Sequence, residues 1–193
     1  MSTAVATARP GQVLADLLPA SRVRDIALVL GGAALTGLAA QLAVPVPGSS
    51  VPVTGQTFAA LLVGTSLGAR RGFLSLALYA LLGLAGVPWF AEGTSGGGAS
   101  FGYIVGMLLA SAAVGALARR GADRSVLRMA GTMLLGEAII YAIGVPYLAL
   151  SLDLSTSAAL AAGLTPFLIG DALKAALAMG AMPTAWKFVN KQS

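Results

Sequence analysis

Long apolar runs separated by short polar connections organise this chain, with runs over residues 25–44, 57–68, 72–87, 101–118, 126–150 and 166–186. A hydrocarbon core is crossed by about 20 apolar residues in a helix, and by fewer where neighbouring helices shelter the ends. The pattern therefore predicts an all-α integral membrane protein of six transmembrane helices. The second and third runs are short and bounded by Gly. Residues 56–88 read as two helices joined by a tight turn at Gly68-Ala69-Arg70-Arg71-Gly72, one kinked helix being the competing parse.

The polar positions between the runs orient the bundle. Of twelve Lys and Arg, Arg9, Arg22 and Arg24 precede the first run, and Arg70 and Arg71 separate the second from the third. Arg119, Arg120, Arg124 and Arg128 separate the fourth from the fifth, while Lys187 and Lys191 follow the sixth. The other connections, 45–56, 88–100 and 151–165, contain no Lys or Arg. By the positive-inside rule this alternation puts both termini in the cytoplasm and the cation-free connections outside. Residues 1–24 lack the compact apolar region and cleavage site of a signal peptide and read as a cytoplasmic tail. Residues 25–186 form the membrane domain, and 187–193 a second cytoplasmic tail.

Composition sharpens this reading. The chain is 57% hydrophobic and 10% charged, whereas a soluble domain carries roughly a quarter charged residues. So little polar surface would leave large apolar patches in water, so lipid must be the solvent. Cys and His are absent, which removes disulfides, thiolates, imidazole bases and the commonest metal ligands. No phosphate-cradling Gly-x-x-x-x-Gly-Lys-Ser/Thr loop occurs, so any ATP-driven step belongs to a partner. The net charge of +5 is spread over short loop clusters and does not point to nucleic acid. Nothing supplies the nucleophile, metal or cofactor motif of an intramembrane enzyme.

Small residues recur four apart: Ala27 and Gly31, Ala33 and Gly37, Gly64 and Gly68, Gly102 and Gly106, Ser111 and Gly115, Ala172 and Ala176. Such pairs let helix backbones approach closely, within the bundle or against another membrane subunit.

Lys174 stands well inside the sixth run, three residues after Asp171, so the two share one helix face. Thr165 as N-cap and Pro166 as first helical residue place Asp171 roughly 8 Å and Lys174 roughly 12 Å below the helix start. Ionisable groups at such depth cost about 2.5–3.5 kcal/mol each on insertion scales and face a bundle interior or a wet cavity. Ligand binding accounts for them better than a self-neutralised clamp, since a buried ion pair stabilises little beside apolar packing. Glu137, in the fifth run, is expected to be a neutral, hydrogen-bonded acid between helices; a proton site is the alternative.

Three external features could complete an outward-facing solute cavity. Gly93-Thr94-Ser95-Gly96-Gly97-Gly98 offers accessible backbone and the hydroxyls of Thr94 and Ser95. The Pro-rich stretch from Val44 to Val53 cannot be helical and suggests a stiff lid or a broken helix entrance. Trp89, Phe90, Phe101 and Tyr103 are interfacial belt residues or an aromatic wall for a ring-shaped solute.

Three segments together resemble the BioY family, the biotin-specific substrate-binding subunits of energy-coupling factor transporters. They are Val51-Pro52-Val53-Thr54-Gly55-Gln56-Thr57-Phe58 with Leu67-Gly68-Ala69-Arg70-Arg71-Gly72, the Gly-rich connection leading to Gly102-Tyr103, and Pro166-Phe167-Leu168-Ile169-Gly170-Asp171-Ala172-Leu173-Lys174-Ala175. The resemblance covers nearly the whole chain after about residue 22. It implies a six-helix fold that binds biotin, with the Gly-Asp-x-x-Lys contacts on Asp171 and Lys174. Gln56, Thr94, Ser95 and Tyr103 are the further substrate-binding candidates. Where many relatives read Gly-Pro-Thr-Gly-Gly-Tyr, this chain has Gly98-Ala99-Ser100-Phe101-Gly102-Tyr103. Thr94 and Ile104 stand where some relatives carry Asn and Arg. This leaves the biotin carboxylate to Lys174 or to backbone amides of the Gly run. The implied partners are a transmembrane coupling subunit, docking on Ala27 and Gly31, and two ATPase subunits; biotin is cargo and no cofactor is expected. The rival reading is a gradient-driven carrier or a binding subunit for a different vitamin.

Overall fold

The structure is a computed structural model that describes residues 11–191. Arg9 and the rest of residues 1–10, and the last two residues of the expected C-terminal tail, lie outside the described residues. Among the described residues, helices α1 (Arg22–Ala40), α2 (Gln56–Leu67), α3 (Ala69–Leu84), α4 (Phe101–Arg119) and α5 (Val126–Ser151) follow in order. The short α6 (Thr156–Gly163) and the long α7 (Leu168–Lys191) complete them. Six of these helices fall on the six apolar runs. Four helical stretches are long and apolar enough to cross a membrane: Arg22–Ala40, Phe101–Arg119, Val126–Ser151, and Thr156–Lys191, which takes in α6 and α7. At 12 and 16 residues, α2 and α3 are shorter, as their sequence indicated.

Side-chain caps set three of the starts. The Ser21, Ser125 and Ser155 hydroxyls accept from the backbone N–H of Arg24, Arg128 and Ala158, opening α1, α5 and α6. The expected five-residue turn between α2 and α3 shrinks to Gly68, because Ala69 is already helical. Gly68 takes φ +83° and ψ 169°, which reverses the chain in one step and is open to glycine at little cost. This makes two helices rather than one kinked helix.

The small-residue pairs of α2 and α4 meet each other. A Cβ on Gly115 would lie 2.5 Å from the Ala69 amide nitrogen and 2.7 Å from the Gly64 carbonyl oxygen. These helices therefore touch backbone to backbone, the approach that small residues permit where lipid supplies no hydrophobic drive. Leu61, Leu76, Met107, Met133 and Ile140 fill the core around this crossing. Ala27 and Gly31, by contrast, are exposed on the outer face of α1, and a Cβ on Gly31 would meet nothing within 4 Å.

Three expectations change in form. α1 ends at Ala40, because residues 43–44 leave the helix and pair with 53–54 as a two-stranded antiparallel hairpin, β1 (Ala43–Val44) with β2 (Val53–Thr54). The Pro-rich stretch is the arm of that hairpin; Ser49 near its tip donates to the Ala162 carbonyl at the end of α6. Thr165 does not cap α7: its hydroxyl donates to the Leu160 carbonyl, and a 3-10 turn over Thr165–Phe167 leads into α7. Asp171 thus sits in the first turn of α7, with Lys174 one turn deeper. Residues 187–191 continue α7 as helix.

Charge divides the bundle into two ends. The hairpin, the turn at Ala91–Gly93 and α6 gather at the end whose loops carry no Lys or Arg, where the Gln41 amide also donates to the Trp89 and Phe90 carbonyls. At the other end, Asp16 pairs with Arg71 at 2.8 Å and with Arg119 at 3.2 Å, and Asp25 pairs with Arg71 and Arg24. Partial burial pushes the Asp16 carboxyl up, but the Arg71 hydrogen bond, the Val13 N–H and the charges of Arg119 and Arg71 outweigh it and hold it below its usual range. This draws residues 13–17 against the bundle, with Val13 fully buried beside Ala15 and Ala118. Close by, Trp186 donates to the buried Asp123 at 2.6 Å and carries the Arg124 guanidinium over its ring at 4.4 Å.

Candidate functional site

A narrow cleft opens at the end whose loops carry no Lys or Arg. Helices, hairpin and turns converge on it, α5 among them with Tyr141. The hairpin contributes Val51 and Pro52, α2 starts beneath it with Gln56 and Thr57, α4 presents Tyr103 and Met107, and α7 presents Lys174.

The polar centre of the cleft is a connected chain of groups. Lys174 Nζ donates to Thr57 Oγ1 at 2.8 Å and to Asp171 Oδ1 at 3.1 Å. The second oxygen of Asp171 accepts from the Tyr141 hydroxyl. Burial is deep, with side-chain exposures of 13% for Lys174 and 9% for Asp171. Helical spacing accounts for the pair, since residues three apart share a face. Tyr141 comes from α5, so the chain of bonds ties three helices together at one point.

Aromatic rings make the adjoining wall. Tyr103, Tyr141 and Phe167 stand mutually 6.3–6.4 Å apart by ring centroids. The Tyr103 ring lies against Gly144, where a Cβ would be 2.4 Å from the ring, and its hydroxyl donates to the Gly163 carbonyl at 2.7 Å. Phe90, buried against Tyr79, closes the opposite side.

The sequence candidates separate into three groups. Lys174, Tyr103 and Gln56 line the cleft. Asp171 does not itself line it but stands behind Lys174 and Tyr141 and holds both. The Gln56 amide donates to the Tyr79 hydroxyl at 2.6 Å, so its nitrogen is already engaged. Thr94 and Ser95 are exposed outside the cleft; the Thr94 hydroxyl closes the turn on Ala91 at 2.8 Å, and Ala91 is the residue of that turn that reaches the wall. Of the four flanking aromatics, Trp89 packs on Gly37 and donates to the Tyr79 carbonyl, while Phe90 and Tyr103 face the cleft.

Sequence reasoning passed over Thr57, Tyr141 and Phe167 as site residues. Thr57 and Phe167 lie inside the segments that carried the family resemblance, and Tyr141 is a phenol within a span, four residues after Glu137. Such a group needs a partner when buried, which is the signal that could have found it. Glu137 departs from expectation. Both of its carboxyl oxygens are buried and have no hydrogen-bond partner among the described residues, where a hydrogen-bonded acid was expected. It lies close enough to Asp171 and Lys174 to feel both charges.

Comparison with known proteins identifies the family and the fold. The BioY family matches residues 10–191. The biotin transporter BioY2 of Lactococcus lactis subsp. cremoris (strain MG1363) is 35% identical over 160 residues, covering 81% of this chain and 87% of the relative. A probable biotin transporter BioY of Pyrococcus horikoshii is 36% identical over 163 residues, covering 82% and 93%. The crystal structure of the S-component for biotin from an ECF-type ABC transporter shares the fold, with a TM-score of 0.77 over 88% of this chain and 95% of that one at 21% identity. A match across almost the full length, from the N-terminal segment to the end of α7, makes this multi-pass membrane protein a member of the BioY family.

Proposed function

We propose that this chain is the biotin-binding membrane subunit of an ATP-driven uptake transporter, capturing biotin from the extracytoplasmic side. One observation carries the reading: the Thr57–Lys174–Asp171–Tyr141 chain of bonds beside a wall of aromatic rings, at the end of the bundle whose loops carry no Lys or Arg. Family membership and the names of the relatives support the choice of biotin.

Biotin presents two ureido N–H donors, an accepting ureido carbonyl, an apolar fused ring and a carboxylate tail. The ammonium of Lys174 suits either oxygen function, and the rings of Tyr103, Tyr141 and Phe167 suit the fused bicycle. Asp171 orients the ammonium and the Tyr141 phenol and is a contact for a ureido N–H once a ligand draws Lys174 aside. Thr94 and Ser95 reach biotin only if their turn folds inward over the mouth. Since the cleft is narrow, its walls must part to admit the ring, and the hairpin arm, whose tip is tied to α6 by Ser49 on Ala162, is the wall that gives.

Both termini face the cytoplasm in this reading, with residues 25–186 as the membrane domain and the flanking segments on the cytoplasmic face. The exposed Ala27–Gly31 face of α1 is the docking surface for a transmembrane coupling subunit, which joins the chain to two ATPase subunits. A gradient-driven carrier is the second reading, and the unpartnered carboxyl of Glu137 beside Asp171 and Lys174 is what favours it.

The test is a titration of the purified protein with biotin, dethiobiotin and unrelated vitamins, repeated on Lys174→Ala. Biotin should bind and unrelated vitamins should not, and the substitution should cost at least ~2 kcal/mol, as expected for stranding one member of a buried ligand-linked pair. Saturable binding of another vitamin with no response to biotin would overturn the assignment.

A further inference from the structure

A second groove, of about 1740 Å³ with its open side included, runs between α1 and α3 at the basic end. Its trench is apolar, with Ile26, Val29 and Leu30 on one bank and Leu74, Leu78 and Leu81 on the other. Ile26, Leu30 and Leu81 are each more than half exposed. Its rim is cationic. Arg71 and Arg119 are spent on Asp16 and Asp25, but the exposed Arg22 and Arg70 make no hydrogen bond or ion pair with any described residue. From rim to far end the groove follows about eight residues of α1 and eleven of α3, or roughly 12–16 Å at ~1.5 Å per residue.

Two unpaired guanidinium groups over an apolar trench are complementary to an anion that carries a long hydrocarbon tail. We propose that this groove binds one anionic phospholipid, its phosphate held by Arg22 and Arg70 and one acyl chain lying between α1 and α3. Basic pockets between transmembrane helices hold anionic headgroups in this way. The two free guanidinium groups call for an anion at the rim and the apolar trench for a hydrocarbon chain, and a phospholipid supplies both in one molecule. The site is remote from the cleft and does not depend on what the cleft binds.

Native mass spectrometry of the full chain in neutral detergent tests this, using phosphatidylglycerol and phosphatidylcholine with identical acyl chains. Phosphatidylglycerol should be retained at about thirtyfold lower concentration, in line with two arginine contacts, and millimolar inorganic phosphate should not displace it. The double variant R22Q/R70Q should lose most of that preference, and Ala77→Trp, which fills the trench, should weaken both lipids. Retained binding at the cleft reports that each variant is folded. Equal retention of the two lipids, an undiminished preference in R22Q/R70Q, or no effect of Ala77→Trp would each overturn the proposal. Displacement by inorganic phosphate would make it a free-anion site. A photo-crosslinker at Leu78 that captures protein and no lipid in native membranes would assign the groove to a partner helix.

Discussion

At the scale of single residues, Asp171 carries the most consequence although it does not line the cleft. It receives the Tyr141 hydroxyl on one oxygen and Lys174 on the other, so removing its charge leaves a buried ammonium with Thr57 alone. Leaving a buried charge uncompensated costs about 3–5 kcal/mol, whereas loss of the hydroxyl's bond to the carboxylate costs about 1.5–3 kcal/mol. Asp171→Asn should therefore weaken biotin binding more than Tyr141→Phe, and calorimetry on the two variants checks the order. Unchanged affinity in Asp171→Asn, with only the melting temperature lowered, would reduce the pair to a helix clamp. Glu137 separates the two transport readings. Its carboxyl has no hydrogen-bond partner among the described residues to lose, so Glu137→Gln should leave both biotin binding and ATP-driven uptake intact. Abolished uptake with intact binding would instead make it the proton site of a carrier.

Helices and turns show which parts of the fold a linear pattern can carry. The six apolar runs marked the six principal helices because lipid imposes one rule on every residue of a span. The hairpin and α6 escaped that rule. The hairpin rests on two residue pairs and on Ser49 reaching Ala162, 113 positions away, and no local signal announces such a bond. Thr165 and Pro166 formed a plausible helix start, but the chain spends both in a 3-10 turn. The Asp171–Lys174 pair was legible because its spacing is helical and its depth costly; Thr57 and Tyr141 were not, because their roles come from other helices. Spacing likewise could not tell which small pairs face inward. Gly115 meets backbone atoms that cannot yield, whereas Gly31 meets open space. Gly115→Ala should thus destabilise by about 1–3 kcal/mol, the usual range for overpacking, seen as a lower melting temperature in detergent. Gly31→Leu should leave melting and biotin affinity unchanged while suppressing ATP-dependent uptake with the coupling subunits present. Normal uptake by Gly31→Leu would move the docking surface elsewhere.

For the molecule as a whole, the two ends differ in what they can exchange with their surroundings. One end holds the aromatic cleft under loops without Lys or Arg; the other holds the arginine network, the packed N-terminal segment and the groove between α1 and α3. In the proposed uptake function the cleft faces the solute's side and the basic end faces the energising partner. The absence of cysteine makes that orientation directly measurable, since every introduced thiol is the sole site of labelling. Ser95, exposed in the Gly-rich connection, and Arg120, exposed between α4 and α5, mark the two ends. In intact cells a membrane-impermeant maleimide should label Ser95→Cys and spare Arg120→Cys, and permeabilisation should expose the second. Both thiols lie outside the apolar spans, so burial in lipid does not confuse the result. The reverse pattern would place the cleft on the cytoplasmic face, and the chain could then not be capturing biotin from outside.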